Sequence, residues 1–264
     1  MNSPPTGQAA QMSTPLSAPS PVLLATELPR AGLDAAALLT SWPLLAAAPR
    51  GDGHPVLVLP GLLAGDPATT VLRGALRALG HDVHGWSLGT NRGPTGRVVA
   101  QLRARLDQLH RESGRTVSLV GWSLGGLYAQ ELARAVPGSV RGLVTLGSPL
   151  PSRQDWTRTA SSLVDRASWL PRAAAALPRP WVESGSLRVP TTAVFTKADG
   201  IVAWSTCRVR AAARRENVQV RGSHLGLAVN PAVLWLVADR LAQAEGSWRP
   251  FRPPLLLRPC YPGR

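Results

Sequence analysis

The pentapeptide Gly-Trp-Ser-Leu-Gly occurs twice, once around Ser87 and once around Ser123. Its G-x-S-x-G spacing displays a serine hydroxyl on a sharp turn between a strand and a helix. The corresponding chemistry is nucleophilic attack on an acyl carbon, with a nearby base needed because a serine alcohol is weak on its own. The turn exposes the oxygen, and the helix N-terminus behind it offers backbone N–H groups to the developing oxyanion. Context separates the two copies. Ser123 follows the apolar run Val117-Ser118-Leu119-Val120, has Gly121, Gly125 and Gly126 around it, and precedes a helix-forming run. Ser87 is followed by Thr90-Asn91-Arg92-Gly93-Pro94, which cannot continue as a helix, so it reads as a loop residue after a strand. Ser123 is therefore the predicted nucleophile, with Gly121 and Gly125 as the elbow glycines.

Placing that serine requires a sheet whose strands end at one edge. From residue 55 onward short apolar runs alternate with amphipathic stretches, the signature of βα units. Strands are expected over 56–59, 82–86, 116–120, 140–146, 191–196 and 217–220. Helices are expected over 67–79, 97–111, 124–136 and 231–244, the last capped by Asn230, and another around 204–214. The predicted fold class is α/β: a doubly wound, mainly parallel sheet with a helical cap insertion at about 150–188, where the strand pattern lapses. Residues 33–48 read as a helix packed on the domain. The domain spans 30–247, preceded by a Pro-rich segment, 1–29, expected to be disordered. The Pro-rich, basic tail 248–264 is expected to be a mobile end.

The order of elements, Gly121-Trp122-Ser123-Leu124-Gly125-Gly126 at the third strand, and Val58-Leu59-Pro60-Gly61-Leu62-Leu63 at the first resemble the α/β-hydrolase superfamily. The likeness is to bacterial esterases and lipases, and more loosely to GPI inositol-deacylase-like proteins. It runs over about 55–244. It implies an oxyanion hole from two backbone N–H groups, here Leu62 and Leu124, although Pro60 replaces the family's His in the first turn. It also implies an acid and a histidine after the nucleophile, each just beyond a strand. Asp199, followed by Gly200, and His224 occupy those places, while His54, His81, His84 and His110 precede the nucleophile. Asp165 and Glu183 are fallback acids inside the insertion. The resemblance thus implies a serine hydrolase cleaving carboxylic esters, with acyl transfer by the same triad or a non-enzymatic binding role as alternatives.

Composition limits the other classes. The chain has 264 residues, 44% apolar and 17% charged, with mean hydropathy near zero, as a globular protein does. Its net charge of +14 comes from 28 arginines and a single lysine, Lys197, against 15 acidic residues. The arginines are dispersed and their densest stretch, 208–221, carries no interleaved aromatics of the kind that stack on bases, so no specific nucleic-acid partner is expected. The charge is compatible with weak association with anionic membrane surfaces. Cys207 and Cys260 lack metal-ligand spacing, so neither metal nor cofactor is expected. No signal peptide or membrane span is recognisable, so a cytoplasmic location is expected. In the insertion Trp156, Trp169 and Trp181 supply apolar surface, either packing the cap or lining an acyl pocket for a small ester or lipid.

Overall fold

The computed structural model describes residues 19–149 and 187–263. Six strands form one sheet: β1 (Pro55–Leu59), β2 (Asp82–His84), β3 (Val117–Trp122), β4 (Val140–Leu146), β5 (Thr191–Phe195) and β6 (Arg215–Gln219). Their order is β2-β1-β3-β4-β5-β6, and every neighbouring pair is parallel. The expected α/β class, a doubly wound parallel sheet, is what the chain adopts, while the helical cap expected at about 150–188 lies almost wholly outside the described residues. Helices are α1 (Pro21–Ala25), α2 (Glu27–Ala46), α3 (Thr70–Ala78), α4 (Gly96–Ser113), α5 (Leu124–Ala135) and α6 (Pro231–Leu241).

Because successive strand residues face opposite sides, a continuous apolar run fills two cores at once. Val56 and Val58 of β1 join Leu45 of α2, Leu72 and Leu76 of α3 and Leu234 of α6 on one face. Leu57 and Leu59 join Leu102 and Leu106 of α4 and Leu127 and Leu132 of α5 on the other. The sheet is thus covered on both sides, and its strand ends are left to carry the loops.

Three expectations need correction. The first is residues 21–29 of the supposedly disordered segment, which form α1 and the start of α2 about a turn at Thr26. Ser20 caps α1 by accepting the Val22 N–H, Pro21 occupies the first helical position, and Pro29 falls in the first turn of α2. Proline costs nothing at those places, where no helical N–H bond is lost. The second is the tail, which is not a mobile end: Phe251 and Tyr261 are buried against each other, ring centroids 4.9 Å apart. The Tyr261 hydroxyl donates to Ala232 O (2.7 Å), and the Phe251 N–H to Glu216 Oε2 (2.9 Å). The third is the helix around 204–214, which is only a short 3-10 turn, Trp204–Cys207. The Asn217 side chain exchanges two hydrogen bonds with the Val209 backbone and draws the following segment out along β6. Trp156, Trp169, Trp181, Asp165 and Glu183 lie outside the described residues.

Several arginines serve the fold rather than a partner, donating to loop carbonyls: Arg73 to Asp66 O (2.7 Å), Arg141 to Gln243 O (2.6 Å) and Arg221 to Pro259 O (3.0 Å). A guanidinium has five donors and can satisfy backbone acceptors that a loop leaves over.

Candidate active site

Ser123 follows β3 directly and precedes α5, with φ 53° and ψ −122°. A non-glycine residue in that region is strained by roughly 1–3 kcal/mol, and it persists only when its surroundings over-determine it. Here the Ser123 N–H donates to Leu146 O (2.8 Å) and Gly126 N–H donates to Ser123 O (3.0 Å). The glycines make the close approach possible. A Cβ on Gly125 would strike the carbonyls of Leu59 and Pro60, one on Gly121 the backbone of Gly126, and one on Gly126 the Ser148 side chain. Gly125→Ala is expected to destabilise the fold by about 2–4 kcal/mol, lowering Tm by roughly 5–10 °C in a thermal melt.

The end of β1 lies against this elbow: a Cβ on Gly61 would stand 3.2 Å from Ser123 Cβ. In the next turn Leu63 N–H donates to Asn91 O (2.7 Å) and Ala64 N–H to Gly61 O (3.2 Å). Among the described residues no carbonyl takes the Leu62 N–H. Leu124 opens α5, so its N–H has no intrahelical acceptor. Asn91, which the sequence reading passed over as a loop residue, anchors the turn. It is fully buried, donates from Nδ2 to Pro60 O (2.9 Å), and accepts at Oδ1 from Gly93 N–H (3.2 Å) and the Tyr128 hydroxyl (3.0 Å).

Asp199 and His224 come together beyond β5 and β6. His224 Nδ1 donates to Asp199 Oδ2 (2.6 Å), leaving Nε2 as the position for a base. The other oxygen, Asp199 Oδ1, accepts from the N–H groups of Ile201 (2.8 Å) and Val202 (2.6 Å), so the carboxylate is fixed at both ends. Thr196 Oγ1 links the two turns by donating to Gly222 O (2.9 Å). Trp122, the residue before the serine, donates its indole N–H to His224 O (3.1 Å), tying the histidine loop to the nucleophile strand. Gly147 provides the remaining room: its φ is 56°, and a Cβ there would stand 2.9 Å from His224 Nδ1. Serine and histidine thus flank the end of β4, one at Leu146 and one at Gly147. Burial favours the neutral imidazole, but the Asp199 charge and hydrogen bond, with the Glu27 charge, outweigh it and hold the His224 pKa above its ordinary 6.5.

Two look-alikes fall elsewhere. Ser87 also has a positive φ, 59°, but it is exposed; the Trp86 and Ser87 N–H groups donate to the Asp66 carboxylate (3.0 Å each), and α4 does not start until Gly96. The repeated pentapeptide there closes the end of β2. Ser118 Oγ, His54 Nε2 and Asp52 form a second contact chain, at 2.9 Å and then 2.6 Å from His54 Nδ1. Ser118, however, sits inside β3, at the opposite end of the strands, with no turn and no helix N-terminus to supply oxyanion donors. A shallow hollow opens at that same end, lined by Ser118, Arg141 and Trp248, and Ser123 is not among its lining residues.

Neither a protein-family model nor a curated protein sequence matches the chain. Solved structures do. The mature lipase BlEst2 of Bacillus licheniformis superposes with a TM-score of 0.53 at 18% identity, covering 75% of this chain and 93% of that one. Mouse α/β hydrolase domain-containing protein 10 gives 0.50 at 16%, over 73% and 90%. Aspergillus fumigatus lipase B gives 0.50 at 17%, over 72% and 53%, so this chain spans about half the length of that protein.

Proposed function

We propose that this chain, which has the α/β-hydrolase fold, is a serine hydrolase that cleaves carboxylic esters through an acyl-enzyme on Ser123. The observation that carries this reading is the pairing of a strained serine at a strand–helix elbow with a hydrogen-bonded His224–Asp199 pair at the neighbouring strand ends. Ser123 Oγ attacks the acyl carbon while its proton passes to His224 Nε2. The N–H groups of Leu62 and Leu124 receive the oxyanion. Collapse breaks the C–O bond, and His224 returns the proton to the departing alcohol. Water then adds to the acyl-enzyme with His224 again as base, releasing the acid and restoring the serine. Asp199 holds the imidazole with its proton on Nδ1 and stabilises the imidazolium. Small esters or lipids are the substrate class, and no step calls for a cofactor.

The raised pKa of His224 sets the pH test. Only the neutral ring accepts a proton, so kcat/KM for p-nitrophenyl butyrate should fall on acidification with a midpoint above 6.5. Stability runs the other way. The folded chain holds the imidazolium more tightly than the unfolded chain, so that contribution is complete below 6.5 and lost as pH rises through the raised value. A protein that folds but hydrolyses no p-nitrophenyl ester at any pH contradicts the proposal.

A further inference from the structure

Helix α2 is poorly buried for its length: of its 20 residues only Glu27 and Leu45 are buried, while Leu28, Leu33 and Leu39 are largely exposed. Its N-terminal half is instead attached by charged side chains, and their targets are specific. Glu27, 2% exposed, accepts at Oε1 from the Gly200 N–H (2.8 Å) and at Oε2 from the Leu225 N–H (3.0 Å). Arg30 donates to Ala198 O (2.6 Å) and to Glu27 Oε1 (2.9 Å). Asp34 Oδ2 accepts from the Ser223 N–H (3.0 Å) and hydroxyl (2.8 Å), and its Oδ1 from Asn230 Nδ2 (2.7 Å). Residues 27, 30 and 34 share one helical face. Their partners 198 and 200 flank Asp199, and 223 and 225 flank His224.

We infer that α2 is the positioning element of the site: Glu27, Arg30 and Asp34 clasp the backbone on either side of Asp199 and His224 and hold the two side chains in hydrogen-bonding register. Glycine at 200 and 226 admits the clasp, since a Cβ on Gly200 would strike the Leu23 backbone and one on Gly226 the Asp34 carboxylate. The inference rests on the proposed hydrolase reading for its catalytic consequence, but not for its geometry. One carboxylate serving both turns makes their separation depend on a single rigid group, and small displacements of a catalytic pair are costly to rate.

Glu27 acts on the imidazole electrostatically as well. The charges acting on the imidazole are those of Asp199 from the β5 turn and Glu27 from α2; Arg30 is ion-paired with Glu27 (2.9 Å) and offsets part of its charge, and Asp34 holds the Ser223 N–H next to His224. Cys207, beyond Asp199, stays a neutral thiol because burial and the Asp199 charge push its pKa up. Removing the Glu27 charge should therefore lower the His224 midpoint, and removing the Arg30 charge should raise it. A general loosening of the fold would not produce opposite shifts.

The test uses the full chain and two variants, Glu27→Gln and Arg30→Gln, with His224 followed by NMR titration of its ring and activity by p-nitrophenyl butyrate hydrolysis. Glu27→Gln is expected to move the midpoint down by about half a pH unit and to cut kcat roughly tenfold with KM little changed. Arg30→Gln moves the midpoint up, and it carries the test alone if Glu27→Gln fails to fold. Wild-type midpoints in the folded variants overturn the clasp. If the shifts occur but the wild type hydrolyses no ester, the clasp stands and the ester-hydrolase reading falls.

Discussion

Ser123→Ala is expected to lower kcat/KM for p-nitrophenyl butyrate by about 10⁴-fold or more, because no acyl-enzyme can form and only binding and oxyanion contacts remain. The fold should survive. The bonds that hold the elbow, Ser123 N–H to Leu146 O and Gly126 N–H to Ser123 O, are backbone bonds. Alanine inherits the positive φ without relieving or adding strain, so Tm should change little. The same change at Ser87 makes the comparison sharp. That serine has the same flanking residues, but it is exposed at the end of β2 and is held by Asp66 through backbone N–H groups alone. Ser87→Ala should keep wild-type turnover, and a loss there with activity retained in Ser123→Ala would reverse the assignment.

The second large effect belongs to Asp199→Asn, expected to reduce kcat by about 10³–10⁴-fold. Asn keeps an oxygen for the N–H groups of Ile201 and Val202 but turns an amide NH₂ toward His224 Nδ1. The imidazole then carries its proton on Nε2, where it cannot take one from serine. The loss should appear in kcat rather than KM, because Asp199 is buried behind the histidine and does not face the substrate. An unchanged kcat in the folded variant would mean that another acid orients His224.

The sheet was readable because its central strands β1, β3, β4 and β5 are short, largely apolar runs bounded by turn residues, whereas the edge strands β2 (Asp-Val-His) and β6 (Arg-Glu-Asn-Val-Gln) bury only alternate residues and were placed less exactly. The elbow was readable because its constraints are local: Gly121, Ser123 and Gly125 lie within five residues. Asp199 and His224 came from the α/β-hydrolase resemblance, which implies an acid and a histidine after the nucleophile at strand ends. What escaped the sequence acts over long separations. Glu27 meets Gly200 and Leu225 across 173 and 198 positions, and nothing near Glu27 marks it as different from a surface carboxylate. Asn91 sits in a Gly/Pro-rich stretch that reads as a plain loop, yet its side chain fixes the β1 turn and meets α5. Proline content misled at both ends of the chain. Counted as a breaker, it suggested disorder at 21–29, whereas Pro21 and Pro29 fall where a helix has no N–H bond to lose. At the other end, aromatic burial by Phe251 and Tyr261 outweighs the tail's polar composition.

The net charge also takes on a different meaning. An excess of +14 suggests a polyanionic partner, but Arg30, Arg73, Arg141 and Arg221 spend donors on loop carbonyls. For Arg30 that carbonyl is next to Asp199. Part of the charge is thus structural, and at one position it borders the site.

If Ser123 is the activated nucleophile proposed above, it reacts covalently with a fluorophosphonate. Treating the folded wild-type chain with a fluorophosphonate probe and mapping the adduct by peptide mass spectrometry tests it most directly. One phosphonyl group per chain is expected, on Ser123, with none on Ser87 or Ser118 and none in Ser123→Ala. A folded wild-type protein that takes no label, or takes it at another serine, contradicts it.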